Sequence, residues 1–359
     1  MARRVNPTPD HYDFHGLLSM RVRRDRRTRA DGYLDSTFAY YRARAPRGEP
    51  DIDVDVGPFE PDLEGTVRLD GRWWVAPGRV VFESRLKMAW WRTQIEGLEG
   101  GPLRVRIHAN WPGRMVFPGE TIYSLVRLRL AEKGLLLLHA PAVTHAGRAL
   151  LLPARSGTGK TITAINFAQR GWGFMGDDSS IVTPDGAASF IVPFNLRFTY
   201  DVERLLGIRF SRRKRAEIFL KKCLGIATRG RITLFSRIYP WDIFGPQIVD
   251  RAPLGAVYIL IQGPCPAVSE PQPPDLFTKS VLVNTLFEAD ELRAMLLAYC
   301  YVNTGSPLKD LWHDFERQMA ARFARAVLRT VTVPPAYTPD VFEMIRAQAE
   351  RDLGPEGDR

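Results

Sequence analysis

The sequence contains few cysteines, and none of its apolar runs is long. Its 359 residues include three cysteines, and the wide spacing of Cys223, Cys265 and Cys300 fits neither a disulfide framework nor a metal-binding cluster. Every apolar run is shorter than the roughly 18 residues that indicate a membrane span. No apolar stretch follows the charged N-terminal residues, which argues against a secretory signal. These absences predict a cytoplasmic protein without a membrane span.

The spacing of apolar residues predicts two domains followed by a short C-terminal segment. Apolar and polar residues alternate at positions 51–56, as in a half-buried strand, and Asp70-Gly71 is typical of a hairpin turn. The spacing becomes helical after Pro118. The predicted domains are a β-rich N-terminal domain at 1–117, a larger α/β domain with a mixed sheet at 118–335, and a helix and tail at 336–359. The tryptophans expected in the core of the first domain are Trp73, Trp74, Trp90, Trp91 and Trp111.

The centre of the chain alternates between short apolar runs and one helical segment. The helix predicted at 160–170 should stop at Gly171, because glycine is common just after the last helical turn. The chain from residue 288 onwards has helical spacing. The strands expected in the centre are 135–143, 148–153, 174–176 and 254–261. The helices expected in the C-terminal part are 288–299, 308–329 and 339–352.

A glycine-rich loop lies between the predicted strand 148–153 and the predicted helix 160–170. Strand, glycine-rich loop, Lys-Thr and helix are the parts of a phosphate-binding loop, in which successive backbone N–H groups hold phosphate oxygens. The positive end of the helix dipole adds to this attraction. The predicted nucleotide-binding residues are Arg155, Ser156, Gly157, Thr158, Gly159, Lys160 and Thr161.

Individual residues of this loop have specific roles in such a site. Lys160 would neutralise the β- and γ-phosphates, and the Thr161 hydroxyl would ligate Mg²⁺. Gly157 and Gly159 permit backbone dihedrals that other residues avoid. The first glycine of the consensus is Ala154 here, so the loop by itself also fits a glycine turn that happens to precede a helix.

Two adjacent acids follow the predicted strand 174–176, and one histidine precedes the loop. Asp177 and Asp178 can divide the work of phosphoryl transfer, because one carboxylate can bind Mg²⁺ while the other accepts the proton of the attacking hydroxyl. The same acids also suit the capping of a turn at Ser179. His139 lies at the end of an apolar run, where a lone histidine is more often a core residue than a catalytic one.

Positive charge is concentrated in one segment of the chain. Residues 204–237 contain eleven Lys/Arg and one acid, an excess that equals the net charge of +10 of the whole chain. Three interpretations stay open: a solvated helix face, a closing segment that brings a cation to the transferred phosphoryl group, and a docking site for an acidic partner. Nucleic acid is the least favoured partner, because no recognition motif accompanies the charge.

Taken together, these motifs resemble the catalytic domain of bacterial HPr serine kinase/phosphorylase and its looser relatives. The resemblance rests on residues 138–161, on the turn Arg170-Gly171-Trp172, and on the acid pair Asp177-Asp178. It is close over residues 138–178 and extends weakly to the predicted strand 254–261. The combination of His139, loop and acid pair is far more specific than the loop alone.

The resemblance implies an α/β fold shared with phosphoenolpyruvate carboxykinase, in which a mixed sheet carries the phosphate loop. It implies that Asp177 is the general base on the acceptor hydroxyl and that Asp178 is a metal ligand or an orienting acid. It also implies that Lys160 binds the phosphates of ATP, that Thr161 binds Mg²⁺, and that His139 contacts the transferred phosphoryl group or acts as the base. A homo-oligomer is a further implication, because the resembled kinase is multimeric.

The sequence departs from this family at three places. The family's glutamate-containing signature has no clear counterpart in residues 192–198, where Asn195 and Arg197 are the polar residues available. Ile162 stands where an acidic residue often follows the Lys-Thr pair. The N-terminal domain also differs from that of the regulatory enzyme, so we expect an acceptor other than the carrier protein HPr.

The predicted function is transfer of the γ-phosphate of ATP, with Mg²⁺, to a serine or other hydroxyl of a peptide, protein or small molecule. Two alternatives stay open. A nucleotide-gated binding or regulatory protein with little transfer activity is favoured by Ala154, Ile162 and the missing glutamate. A carboxykinase acting on an oxaloacetate-like acid would need several substrate arginines, and no motif places Arg197 or Arg231 in that role.

Overall fold

The computed structural model describes residues 8–25, 28–45, 48–194, 203, 207–227 and 237–354. It shows a mixed α/β protein with several sheets, and the chain divides into two compact units. The units are Met1–Leu137 with Thr285–Ala321, and Leu138–Asn284 with Arg322–Arg359. The domains predicted at 1–117, 118–335 and 336–359 stay a prediction. Within the described ranges, no helix combines the length and apolarity that crossing a membrane requires.

Short strands dominate the first third of the chain, and helices become more frequent towards its C-terminus. The strands are β1 (Asp10–Phe14), β2 (Leu18–Arg24), β3 (Arg42–Ala43), β4 (Ile52–Val56), β5 (Val67–Leu69), β6 (Trp73–Ala76), β7 (Arg79–Leu86), β8 (Ala89–Glu96), β9 (Leu103–Ala109), β10 (Leu136–Leu138), β11 (Ala142–His145), β12 (Arg148–Leu151), β13 (Gly173–Gly176), β14 (Ser179–Thr183), β15 (Gly186–Phe190), β16 (Arg251–Ala252), β17 (Leu254–Gln262), β18 (Ala267–Val268) and β19 (Val327–Val333). The helices are α1 (Gly32–Thr37), α2 (Gly113–Phe117), α3 (Tyr123–Glu132), α4 (Lys160–Gln169), α5 (Arg212–Ala227), α6 (Pro240–Phe244), α7 (Pro274–Phe287), α8 (Asp290–Val302), α9 (Leu311–Phe323) and α10 (Pro339–Leu353).

The first unit is built on a nine-stranded sheet in the order β3-β1-β2-β4-β9-β8-β7-β6-β5. Its central strands β2, β4 and β9 are parallel, and the flanking pairs are antiparallel. The predicted strand at 51–56 is confirmed as β4, which buries its apolar side chains on one face. On the other face, Asp53 pairs with Arg21 at 2.5 Å. The alternation in the sequence therefore reports a sheet with one apolar and one charged face.

The tryptophans of the first unit do not all lie in its core. Trp73 and Trp91 are buried, whereas Trp74 and Trp90 are half-buried because strand residues alternate between the two faces of the sheet. Trp111 is 61% exposed, so its predicted place in the core is wrong. It follows strand β9 on the connection to α2.

The second unit contains a six-stranded sheet in the order β13-β11-β12-β17-β19-β18. Strands β12, β17 and β19 run parallel to one another, and β11 runs antiparallel to both of its neighbours, β12 and β13. Strands β14, β15 and β16 form an antiparallel set beside it. The predicted strands at 148–153, 174–176 and 254–261 and the predicted helix at 160–170 are confirmed as β12, β13, β17 and α4.

Two of the secondary-structure elements predicted from the sequence are wrong. The helix predicted at 308–329 ends at Phe323, and residues 327–333 form β19, because pairing with β17 outweighs the local helical spacing. The single strand predicted at 135–143 is interrupted between β10 and β11. Pro141 lies in this interruption and has no N–H to donate to a continuous ladder.

Truncation of a core residue of β12 tests the central place of this strand. Leu150 is fully buried, and we expect Leu150→Ala to lower the free energy of unfolding by about 2–5 kcal/mol, because the deletion leaves a cavity. Leu276→Ala is the control, since Leu276 is exposed and its truncation should cost less than about 0.5 kcal/mol. Urea unfolding of the full chain measures both changes, and equal effects would contradict the described packing of β12.

Candidate functional site

Strand directions bring three separate segments to one edge of the six-stranded sheet. The glycine-rich loop follows β12, and the acid pair follows β13, which runs in the same direction as β12 because both are antiparallel to β11. His139 precedes β11, whose first residue lies at the edge where β12 and β13 end. The sheet therefore juxtaposes the histidine, the loop and the two acids that the sequence separates.

The start of the loop is held by the neighbouring strand β17. The backbone N–H of Leu260 donates to the carbonyl oxygen of Pro153 at 2.9 Å, and Ala154 forms a parallel bridge with Leu260. Ala154 is buried, and its φ is not positive. The backbone at the first consensus position therefore does not require glycine, and Ala154 causes no strain there.

The rest of the loop is closed by its own backbone and ends at the first turn of α4. The N–H and the hydroxyl of Thr158 both donate to the carbonyl oxygen of Arg155, at 3.3 and 2.7 Å. Gly157 and Gly159 have φ values of 88° and 90°, a region that favours glycine, and Gly159 is the N-cap of α4. Gln262 at the end of β17 donates to the carbonyl oxygen of Gly157 at 3.1 Å. These bonds fix the loop between the sheet and the positive end of a helix.

Lys160, His139 and Asp178 form one cluster behind the loop. The Nζ atom of Lys160 contacts Nε2 of His139 and lies 3.5 Å from Oδ1 of Asp178. The Nδ1 atom of His139 lies 3.6 Å from the same carboxylate oxygen. Lys160 and His139 are buried, while the side chain of Asp178 remains 44% exposed. A buried ammonium group requires such partners, and the open side of Asp178 leaves room for a ligand.

Asp177 is buried beside this cluster. Burial, and after it the negative charge of Asp178, together raise the pKa of its carboxyl group to about 8, although the positive charge of Lys160 opposes the shift. The carboxyl group therefore keeps its proton at neutral pH when no cation is bound. A base with a pKa near neutrality suits proton transfer from a hydroxyl, because it can both accept and release the proton.

Gly176 sets the entry of the chain into the acid pair. Its φ is 149°, which side chains rarely adopt, and an added Cβ would lie 2.9 Å from the carbonyl oxygens of Phe190 and Ser179. Only glycine satisfies both constraints. The backbone at this position therefore determines where Asp177 points.

Sequence analysis missed three residues that support the site. Asn284 of α7 donates to the carbonyl oxygen of His139 at 3.2 Å. The ring of Tyr337 packs on the backbone of Gly159, and its hydroxyl lies 2.7 Å from Oγ1 of Thr163. Gln262 could have been anticipated from its place at the end of a strand parallel to β12. Asn284 and Tyr337 carried no signal, because nothing in their spacing connects them to the loop.

Several residues that sequence analysis proposed for the site or for the basic segment lie outside the described residues. Asn195 and Arg197, the polar candidates of residues 192–198, lie outside the described residues, and so do Arg204, Arg229 and Arg231 of the basic segment. Thr161 is described and half-buried in the first turn of α4. Within the described ranges, no group of three or more His, Cys, Asp or Glu side chains is arranged to hold a metal ion.

Comparison with known proteins adds little to this geometry. No protein-family model matches the sequence, and no curated protein matches it. Among solved structures, the chain is similar to the HPr(Ser) kinase/phosphatase from Coxiella burnetii, with a TM-score of 0.28 and 8% sequence identity. The alignment covers 60% of this chain and 94% of that chain. A likeness at this level carries no argument about fold or function.

Substitution of Gly176 tests the backbone constraint at the acid pair. We expect Gly176→Ala to destabilise the protein by about 1–3 kcal/mol, because the new methyl group meets two carbonyl oxygens at an unfavourable φ. Gly245→Ala is the matched control in the same unit, with a φ of −43° and open space at its Cβ position. Thermal unfolding compares the two variants, and an equal loss in both would show that Gly176 is not under constraint.

The raised pKa of Asp177 predicts how stability depends on pH in the metal-free protein. Between the ordinary carboxyl pKa and about 8, the unfolded chain has lost a proton that the folded chain retains. This contribution to stability is therefore complete at low pH and is lost as the pH rises towards about 8. Urea unfolding in EDTA should show this decline in the wild type, and the decline should be smaller in Asp177→Asn, in which only the buried glutamates with raised pKa values, such as Glu291, still contribute.

Asp185 provides a control of opposite sign. The Thr183 hydroxyl lowers the pKa of its carboxyl group, so its contribution is present at neutral pH and is lost as the pH falls. Asp185→Asn should leave the decline towards pH 8 unchanged. A wild type and an Asp177→Asn variant with parallel pH profiles would contradict the burial of an ionisable Asp177.

Proposed function

We propose that the protein is an ATP-dependent phosphotransferase that moves the γ-phosphoryl group to a hydroxyl of a peptide, protein or small molecule. The observation that carries this proposal is the cluster of Lys160, His139 and Asp178 beside buried Asp177, at the start of the helix that follows the glycine-rich loop. A phosphate loop alone would support only nucleotide binding. The acids beside it would supply a general base and a metal ligand, both of which phosphoryl transfer to a hydroxyl requires.

The loop would bind the phosphates of the nucleotide. Arg155, Ser156 and Gly157 are exposed, so an anion from solvent can reach the loop, and the N-terminus of α4 would add its positive dipole. Lys160 would move from its contact with His139 to the β- and γ-phosphates, a short displacement within the same cluster. The base of the nucleotide would lie outside this loop.

Thr161 and Asp178 are the residues that would hold Mg²⁺. The ion suits this sparse set of oxygen ligands, because Mg²⁺ commonly binds one or two protein groups together with phosphate oxygens and water. When bound, it would neutralise charge that develops on the phosphates during transfer. The partly exposed carboxylate of Asp178 is the accessible anionic ligand at this edge of the sheet.

Asp177 would act as the general base. In the proposed reaction, the acceptor oxygen forms a bond to the γ-phosphorus while the bond from that phosphorus to the bridging oxygen breaks, and ADP leaves. The hydroxyl proton passes to the Asp177 carboxylate, which bound cations hold in its ionised form. His139 would lie against the transferred group and orient Lys160.

A second function is favoured by the same contacts. Lys160 is already paired with His139 and Asp178, so nucleotide binding must break these contacts and rearrange the cluster. Such a rearrangement can report nucleotide binding to another part of the protein without chemistry. A nucleotide-gated regulatory protein is therefore the alternative, and the homo-oligomer expected from sequence stays a prediction in either case.

Substitution of the proposed base separates the two functions. With γ-labelled ATP, Mg²⁺ and an extract of the cells that make the protein, we expect Asp177→Asn to lower label transfer by about 10²–10⁴-fold, because it removes general-base catalysis. Nucleotide binding measured by calorimetry should persist in this variant. Lys160→Ala should weaken both binding and transfer.

Asp185→Asn serves as the surface control and should transfer label at the wild-type rate. Transfer by Asp177→Asn at the wild-type rate would refute the assignment of the base. Nucleotide binding by the wild type without transfer to any component of the extract would favour the regulatory alternative.

A further inference from the structure

Helix α5 presents apolar side chains to solvent. Phe219, Leu220 and Ile226 are 68%, 69% and 68% exposed, and the exposed Cys223 lies between them on the helix. At about 100° per residue, these four side chains and the exposed Ala216 and Ala227 fall within an arc of about 120°. The outward side of α5 is therefore a continuous apolar stripe, defined here as Phe219, Leu220, Cys223 and Ile226.

The half-buried side of α5 is mainly polar, with Lys214, Glu217 and Lys221 beside one apolar residue, Ile218. Glu217 pairs with Lys214 at 3.1 Å and with Lys221 at 2.5 Å, and Nζ of Lys214 donates to the carbonyl oxygen of Arg237 at 3.1 Å. A surface helix of a soluble protein normally has the reverse arrangement, with its apolar side turned inward. Apolar side chains that stay exposed to water gain nothing from folding. An exposed apolar stripe of this kind therefore indicates a surface that binds a partner or a membrane.

Positive charge flanks the apolar stripe. Arg212, Arg213 and Arg215 are exposed in the first turn of α5, which contains no acidic residue. Cations at a helix N-terminus are unfavourable because they oppose the helix dipole. Arg215 pairs with Glu203, whereas Arg212 and Arg213 form no ion pair within the described residues. The uncovered face therefore combines apolar groups with arginines that an external anion would stabilise.

We propose that α5 binds an anionic membrane surface, with Phe219, Leu220 and Ile226 inserted among the lipids and Arg212 and Arg213 at the lipid phosphates. A basic helix that exposes bulky apolar side chains beside arginines is suited to the interface of an anionic bilayer. A second copy of α5 would cover the apolar stripe, but with six basic residues and one acid it supplies no net negative charge for Arg212 and Arg213. An acidic protein segment would have to supply a groove for this convex stripe.

Vesicle binding by the full-length protein tests this proposal. We expect the wild type to co-sediment with phosphatidylcholine vesicles that contain phosphatidylserine and not with phosphatidylcholine alone. Phe219→Ser with Ile226→Ser should weaken binding by about tenfold for each side chain, since each loses its transfer into the bilayer. Arg212→Gln and Arg213→Gln should each weaken it by about fivefold. Leu276→Ser and Arg325→Gln are controls at exposed positions of the same unit and should bind like the wild type.

Labelling of single cysteines shows whether the apolar stripe enters the bilayer. A polarity-sensitive dye on Cys223, with the other two cysteines replaced by serine, should shift to the blue when phosphatidylserine vesicles are added. The same dye on Cys265, which is also exposed, should not shift. This comparison distinguishes insertion of the stripe from general adsorption of a basic protein.

Several results would overturn the proposal. These are equal binding of the wild type to both vesicle types, unchanged binding after Phe219→Ser with Ile226→Ser, and equal dye shifts at Cys223 and Cys265. A dimer in sedimentation velocity that dissociates in the same serine variant, without vesicle binding, would instead assign the stripe to contact between copies. Retention of the wild type on an acidic peptide column but not on vesicles would assign it to a protein partner.

Discussion

The directions of β11, β12 and β13 are the constraint on which the candidate site depends. Because β11 runs antiparallel to both neighbours, the ends of β12 and β13 and the start of β11 share one edge of the sheet. That edge receives a helix N-terminus, a buried lysine, a histidine and two acids from segments that are distant in sequence. Parallel β17 adds the bonds that hold the loop at this edge.

The electrostatics of the site follow from burial. Lys160 and His139 lie within a protein interior where an unpaired charge is costly, and Asp178 compensates for the lysine. Asp177 lies deeper, beside a like charge, and retains its proton. The charges of these four groups therefore compensate one another only in part. A bound cation together with an anionic ligand would complete the compensation.

The sequence predicted the helix and strands next to the glycine-rich loop better than it predicted the rest of the sheet. The loop, helix α4 and the short strand before Asp177 could be recognised in the sequence because glycines mark their ends, as at Gly171 and Gly176. The helical spacing of residues 308–329 concealed β19, since its pairing with β17 is decided by contacts that no local pattern records. Tyr337 was missed for the same reason. The sequence alone also did not show why alanine is tolerated at position 154, whereas the structure does, because the φ of Ala154 is not positive.

The central claim is that the edge of the sheet after β12 is a nucleotide-phosphate site. Nuclear magnetic resonance of the ¹⁵N-labelled protein, titrated with Mg²⁺ and ADP, tests this claim most directly. The account predicts that the amide signals of Gly157, Gly159 and Lys160 shift together with the ring signals of His139. Unchanged signals at these four residues, with shifts elsewhere or no shifts at all, would contradict it.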